Sequence, residues 1–215
     1  MSIPALKKAR GLEFAELANN AYSNQPNAVG NGWQFKNDLT SDRHSGFYGK
    51  VFTRGNEIAI CYGGTDDGPD LGADIYQGLV GGGAEYDLAI EEARKVINDP
   101  LNQGKQITFV GHSLGGGLAT AAAAVFQRPG ITFNAAGAHP WTVSKYGGNL
   151  NNINQLVEAY RVQGEFLSTL QDSESITGYL MPDSQGTPYW LPANPNEDFV
   201  VRHNMKAIFN GLNAL

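Results

Sequence analysis

The chain has 215 residues, a single cysteine, a net charge of −6 and a pI near 5.1. That length suits one α/β domain that needs no disulfide staple, and Cys61 has no partner for an internal bridge. The acidic balance, with no basic stripe, excludes nucleic acid as the natural partner and leaves any membrane contact to hydrophobic side chains.

Residues 4–22 place Leu6, Ala9, Leu12, Phe14, Leu17, Ala18 and Tyr22 at helical spacing, which predicts an amphipathic first helix. The basic residues near the start follow the apolar Ile3 to Leu6, the reverse of a Sec signal. No run of eighteen apolar residues exists. The expectation is a soluble chain without a signal peptide, kept in a bacterial cytoplasm or exported by a signal-independent route. After a turn-rich loop over 24–32, residues 46–53 and 57–62 alternate as two strands joined by the hairpin turn Arg54-Gly55-Asn56. Residues 71–97 read as mostly helical, broken at Gly81-Gly82-Gly83 and ended by Asp99-Pro100. Strands follow at 106–110, 131–136 and 156–162, and a closing helix at 201–212. The stretch 164–200 holds four of the ten prolines and little periodicity, so it reads as a long loop layer. Strands alternating with helices predict a mostly parallel central sheet flanked by helices, one α/β-hydrolase-type domain over 1–215.

The most informative segment is Gly111-His112-Ser113-Leu114-Gly115, between the strand at 106–110 and a Gly/Ala-rich helical stretch. A G-x-S-x-G pattern in that context is a nucleophile elbow, with Ser113 on a strained turn and glycines where bulk is not tolerated. A serine hydroxyl needs a base to take its proton. In the order serine–acid–histidine the base follows the nucleophile, which selects His203 over His44 and the elbow's own His112. His139, after the strand at 131–136, reads with His112 as a pocket wall. The acid belongs where the chain leaves the strand at 156–162, which favours Glu165, with Asp172, Asp183 and Asp198 as rivals. Two donors are expected for the oxyanion: the Leu114 amide, and Thr65 after the Gly63-Gly64 turn.

Cys61-Tyr62-Gly63-Gly64-Thr65, the elbow with Gly116-Gly117-Leu118-Ala119, and Phe133-Asn134-Ala135-Ala136-Gly137 resemble the class 3, fungal-lipase-like branch of the α/β-hydrolases. The resemblance implies Thr65 as the oxyanion threonine. It also aligns the family's Asp-containing segment with Gly164-Glu165-Phe166-Leu167-Ser168, Glu165 replacing Asp. Gly63-Gly64 stands where many members have Arg-Gly. The region from Gly186 to Tyr189, with 202–205, is similar to bacterial lipase-like proteins, including phospholipase effectors of type VI secretion. That similarity implies an inhibitory immunity protein as partner.

Asp66, Asp67, Asp70 and Asp74 form an acidic cluster whose chemistry suits calcium, but their spacing fits no EF-hand loop, so no cofactor or metal is expected. Ile75 and Leu79 are expected to border an acyl pocket. Tyr179 to Pro182 and Tyr189 to Pro192 are candidate lipid contacts in the loop layer. The reading is a serine ester hydrolase acting on lipid or phospholipid acyl esters, with the membrane surface touched transiently. Its competitors are a small-molecule carboxylesterase or thioesterase without interfacial activity, and an inactive hydrolase fold used as a binding module.

Overall fold

The computed structural model describes residues 3–26, 29–41, 46–64, 83–167 and 182–215. Among them, seven strands form one sheet whose spatial order follows the chain: β1 (Gln34–Asp38), β2 (Gly49–Arg54), β3 (Glu57–Tyr62), β4 (Gln106–His112), β5 (Gly130–Phe133), β6 (Val157–Val162) and β7 (Thr187–Leu191). β1, β2 and β3 pair antiparallel, and every later pairing is parallel. The sheet is therefore mostly parallel, as the alternating pattern predicts.

Right-handed crossovers that all step the same way along a sheet put their helices on the same face. Accordingly α2 (Gly83–Asn98), α3 (Leu114–Phe126), α4 (Pro140–Lys145) and α5 (Ile153–Leu156) share one side. There Ile58, Ile60, Tyr62, Ile107 and Phe109 meet Ile90, Leu118 and Ala122 in one apolar cluster. α1 (Ala5–Ala21) and α6 (Met205–Asn213) pack together on the other side, over Phe52, Ala59, Cys61, Val110, Phe133 and Tyr160. Neighbouring residues of each strand thus feed opposite cores, the two-residue period of a doubly covered sheet. α3 is buried along most of its length, and its glycines and alanines let it sit close to the sheet.

Three features differ from the sequence reading. β1 is largely exposed, and its Gln-Phe-Lys-Asn-Asp lacks the apolar alternation that announces a strand. The loop layer over 164–200 is interrupted by β7, where Pro188 is tolerated because the strand is an edge. Tyr189 in that strand is half-buried and stacks on Tyr160 at 5.1 Å, while Trp190 stays exposed under Arg161. The strand at 131–136 ends early, at Phe133, because Asn134 turns the chain with φ 39°.

Candidate active site

The parallel pairing aligns the carboxyl ends of β3 to β6, with Tyr62 beside Gly111, His112 beside Phe133, and Phe133 beside Tyr160. The residues leaving those ends are Gly63-Gly64, Ser113, Asn134 and Gln163-Gly164-Glu165, so all four segments emerge along one edge. Ligands of open α/β sheets bind at that edge.

Ser113 has φ 57° and ψ −129°, a conformation that costs a non-glycine residue on the order of 1–3 kcal/mol. Backbone hydrogen bonds on both sides hold it: its amide donates to the Phe133 carbonyl (3.1 Å), and its carbonyl accepts from Ala136 (3.0 Å) and Gly116 (3.0 Å). The elbow glycines are required by space. A Cβ at Gly111 would lie 2.1 Å from the Gly115 oxygen, and one at Gly115 would lie 2.4 Å from the Tyr62 oxygen. The serine hydroxyl does not cap α3. It lies 2.9 Å from Nε2 of His203.

His203 ends a 3-10 turn, Val201–His203, that precedes α6. Its Nδ1 is 2.6 Å from Oε2 of Glu165, and that oxygen also accepts the Leu167 amide at 2.9 Å. Ser113, His203 and Glu165 are all buried. Of the rival acids, Asp198 is exposed and accepts the Val200 and Val201 amides, so it caps the turn that carries His203. Asp183 is exposed, and Asp172 lies outside the described residues. The Leu114 amide has no acceptor among the described residues, which leaves it available to an oxyanion at the start of α3. Thr65, Ile75, Leu79 and the acidic cluster Asp66, Asp67, Asp70 and Asp74 lie outside the described residues.

Among the described residues, the two expected pocket-wall histidines make other contacts. His139 is exposed, caps α4 through the Trp141 amide and lies against the Trp141 ring. His112 is buried, with both ring nitrogens engaged: Nδ1 is 2.9 Å from the Tyr22 hydroxyl and Nε2 is 2.7 Å from the His203 carbonyl. A carbonyl only accepts, so Nε2 carries the proton and Nδ1 accepts from Tyr22. Burial, and secondarily the neighbouring His203, push His112 down to about 3, so it is neutral at ordinary pH. A second charge is thereby kept away from His203, whose ring centre is 5.0 Å distant.

Sequence reasoning missed three residues here. Tyr22, at the end of α1, accepts the Gly64 amide at 3.1 Å, and Tyr48 donates to the Gly64 carbonyl at 2.7 Å. The Tyr48 ring fills the place of a side chain at Gly63, where a Cβ would approach to 1.9 Å, so glycine stands there instead of arginine. Asn134 accepts the Val162 amide at 2.8 Å and donates to the carbonyls of Arg202 and His203, both at 3.0 Å. A lone asparagine closing an apolar strand was the available signal for the last of these, since asparagine tolerates positive φ.

Comparisons with known proteins bear on the family and the fold. Residues 13–188 match the family described as Tle-like phospholipase domain. Over 158 residues the chain is 29% identical to the extracellular phospholipase A1 of Serratia liquefaciens, which takes in 71% of this chain. It spans about half, 47%, of that relative's length. Among solved structures it resembles a fungal lipase at a TM-score of 0.62 and 12% identity, over 91% of this chain and 84% of that one. It resembles the triacylglycerol lipase of Penicillium expansum at 0.62 and 16%, over 90% and 83%. Those likenesses show an α/β-hydrolase-like fold. With the family match extending across 13–188, the chain belongs to the Tle-like phospholipase domain family.

Proposed function

We propose that the chain is a serine hydrolase of phospholipid or other lipid acyl esters, working through an acyl-enzyme on Ser113. The observation that carries this reading is the buried line from Ser113 Oγ to His203 Nε2 (2.9 Å) and from His203 Nδ1 to Glu165 Oε2 (2.6 Å). As Ser113 attacks the ester carbonyl, His203 takes its proton at Nε2. Glu165 holds the imidazole in the tautomer that leaves Nε2 free, and it stabilises the imidazolium that forms. The Leu114 amide faces the oxyanion, a contact worth roughly 3–4 kcal/mol in comparable sites. Thr65 is the second donor in this reading. His203 then returns the proton to the leaving alcohol, and water releases the fatty acid by the same route. Side chains and backbone fill every role, so the reading calls for no cofactor.

The phospholipid substrate rests on the family and on the phospholipase A1 relative. Contact with the lipid surface falls to Phe199, Val200 and Val201, exposed apolar residues just before the base. Phe199 stacks at 5.9 Å on Phe166, whose ring meets His203 edge-on at 6.4 Å. With a net charge of −6 that contact is hydrophobic, transient and not electrostatic. The relative's description as extracellular supports action outside the producing cell. An inhibitory immunity protein is then the expected partner within that cell. The reading treats 1–215 as one hydrolase domain.

The test is hydrolysis of phosphatidylethanolamine vesicles by the wild-type protein and by Ser113→Ala. Release of fatty acid with lysophospholipid by the wild type alone is expected. Equal release by Ser113→Ala overturns the mechanism. Turnover of soluble short esters with intact vesicles replaces the substrate by a small ester.

A further inference from the structure

The geometry points to Tyr22 as a positioning residue that ties the oxyanion turn and the catalytic histidine to a single hydroxyl. This inference rests on the proposed reaction at Ser113. The Tyr22 oxygen accepts the Gly64 amide at 3.1 Å, and its proton goes to His112 Nδ1 at 2.9 Å. His112 passes the polarity on, donating from Nε2 to the His203 carbonyl at 2.7 Å. The direction is fixed because the last oxygen is a carbonyl.

The chain joins segments that meet nowhere else in sequence: the end of α1, the turn after β3, the elbow and the turn that carries the base. Gly64 is held closely, since a Cβ there would lie 2.7 Å from the Tyr22 hydroxyl, 2.7 Å from the His112 carbonyl and 3.2 Å from Ser113 Cβ. The Tyr22 hydroxyl therefore sets how near the Gly63-Gly64 turn stands to the nucleophile. It also spends the Gly64 amide, so that donor is unavailable to an oxyanion. Through His112 it sets the height of the His203 backbone, which Asn134 fixes from the other side. Asparagine at 134 and histidine at 112 thus hold one carbonyl between them.

The test compares wild type, Tyr22→Phe, His112→Asn and the double variant, with a fluorophosphonate probe of Ser113 and steady-state kinetics on p-nitrophenyl butyrate. Tyr22→Phe keeps the ring and removes only the hydroxyl. Its expected effect is a fall in kcat of about ten- to hundredfold with KM nearly unchanged, since displacements of this kind spoil alignment without touching substrate. Asn at 112 retains an acceptor for Tyr22 but loses the donor to the His203 carbonyl. It should show the same split, and the double variant should lose no more than the worse single one. A folded Tyr22→Phe with wild-type kcat and labelling rate overturns the inference, as does full additivity of the two losses. If Tyr22→Phe does not fold, His112→Asn carries the test by the same criteria. Wild-type protein that fails to label at Ser113 overturns the proposed reaction itself, a result separate from either outcome.

Discussion

Glu165 meets His203 at 2.6 Å with both side chains buried, and its bonded oxygen is shared with the Leu167 amide. The carboxylate is thus oriented by its own loop before it orients the imidazole. Glu165, one methylene longer than aspartate, follows Gly164, whose φ of 66° turns the chain just before it.

Glu165→Gln keeps the shape and offers Nδ1 an amide that favours the wrong tautomer, with the Nε2 proton aimed at Ser113. It should lower kcat on p-nitrophenyl butyrate on the order of a thousandfold or more, with a smaller loss for Glu165→Asp. Wild-type turnover by Glu165→Gln would transfer the acid's role to another carboxylate.

The elbow glycines should be intolerant. Alanine at Gly111 or Gly115 puts a methyl into backbone atoms and should cost about 3 kcal/mol or more, a Tm drop of roughly 6–12 °C for a domain of this size. Gly83→Ala, where nothing among the described residues lies within 4 Å of the added carbon, should leave Tm unchanged or slightly raised. Equal Tm values across the three variants would contradict the packing at the elbow.

Two buried groups shape stability against pH in opposite senses. Burial raises Glu85 from 4.5 to about 7, and its Oε2 has no hydrogen-bond partner among the described residues. Below 4.5 it is protonated folded or unfolded. Between 4.5 and 7 the unfolded chain ionises first, so stability falls as pH rises and the penalty is complete above 7. Glu85→Gln should therefore gain about 1 kcal/mol at pH 8, after allowance for solvent screening, and little at pH 4. His112, lowered from 6.5 to about 3, contributes stability that is lost as pH falls from 6.5 towards 3, at up to about 1.4 kcal/mol per pH unit. Urea titrations across pH should show both limbs, with the acid limb shallower in His112→Asn.

Val200→Asp places a charge on the exposed rim before the base. It should lower hydrolysis of vesicles about tenfold more than hydrolysis of a monomeric ester, the loss expected from one apolar contact of about 1.4 kcal/mol. Equal losses on both substrates would remove the rim from lipid contact.

What the sequence made legible was local or ordered by topology. Gly111 and Gly115 are required by sterics within five residues, so the elbow is written in the chain itself. Glu165 follows from strand order, because a parallel sheet brings successive strand exits to one edge, and His203 from the chain order serine–acid–histidine. Tyr22 was not legible: at the end of an amphipathic helix its ring reads as core, and its hydroxyl partners lie 42 and 90 positions away. β1 and β7 were hidden for a different reason. Edge strands need only one paired side, so a polar run and a proline-bearing aromatic run both serve.

The layer formed by α1 and α6 covers one face of the sheet and brings with it both Tyr22 and the turn bearing His203. In the proposed reaction the nucleophile and acid belong to the sheet's strand exits, whereas the base arrives with that layer. In that reading hydrolysis is a gauge of a subglobal opening: lifting α1 and α6 away would part His203 from Ser113 while β3 to β6 remain paired. Loss of activity in mild denaturant before the sheet unpairs, regained on dilution, is the outcome this arrangement predicts.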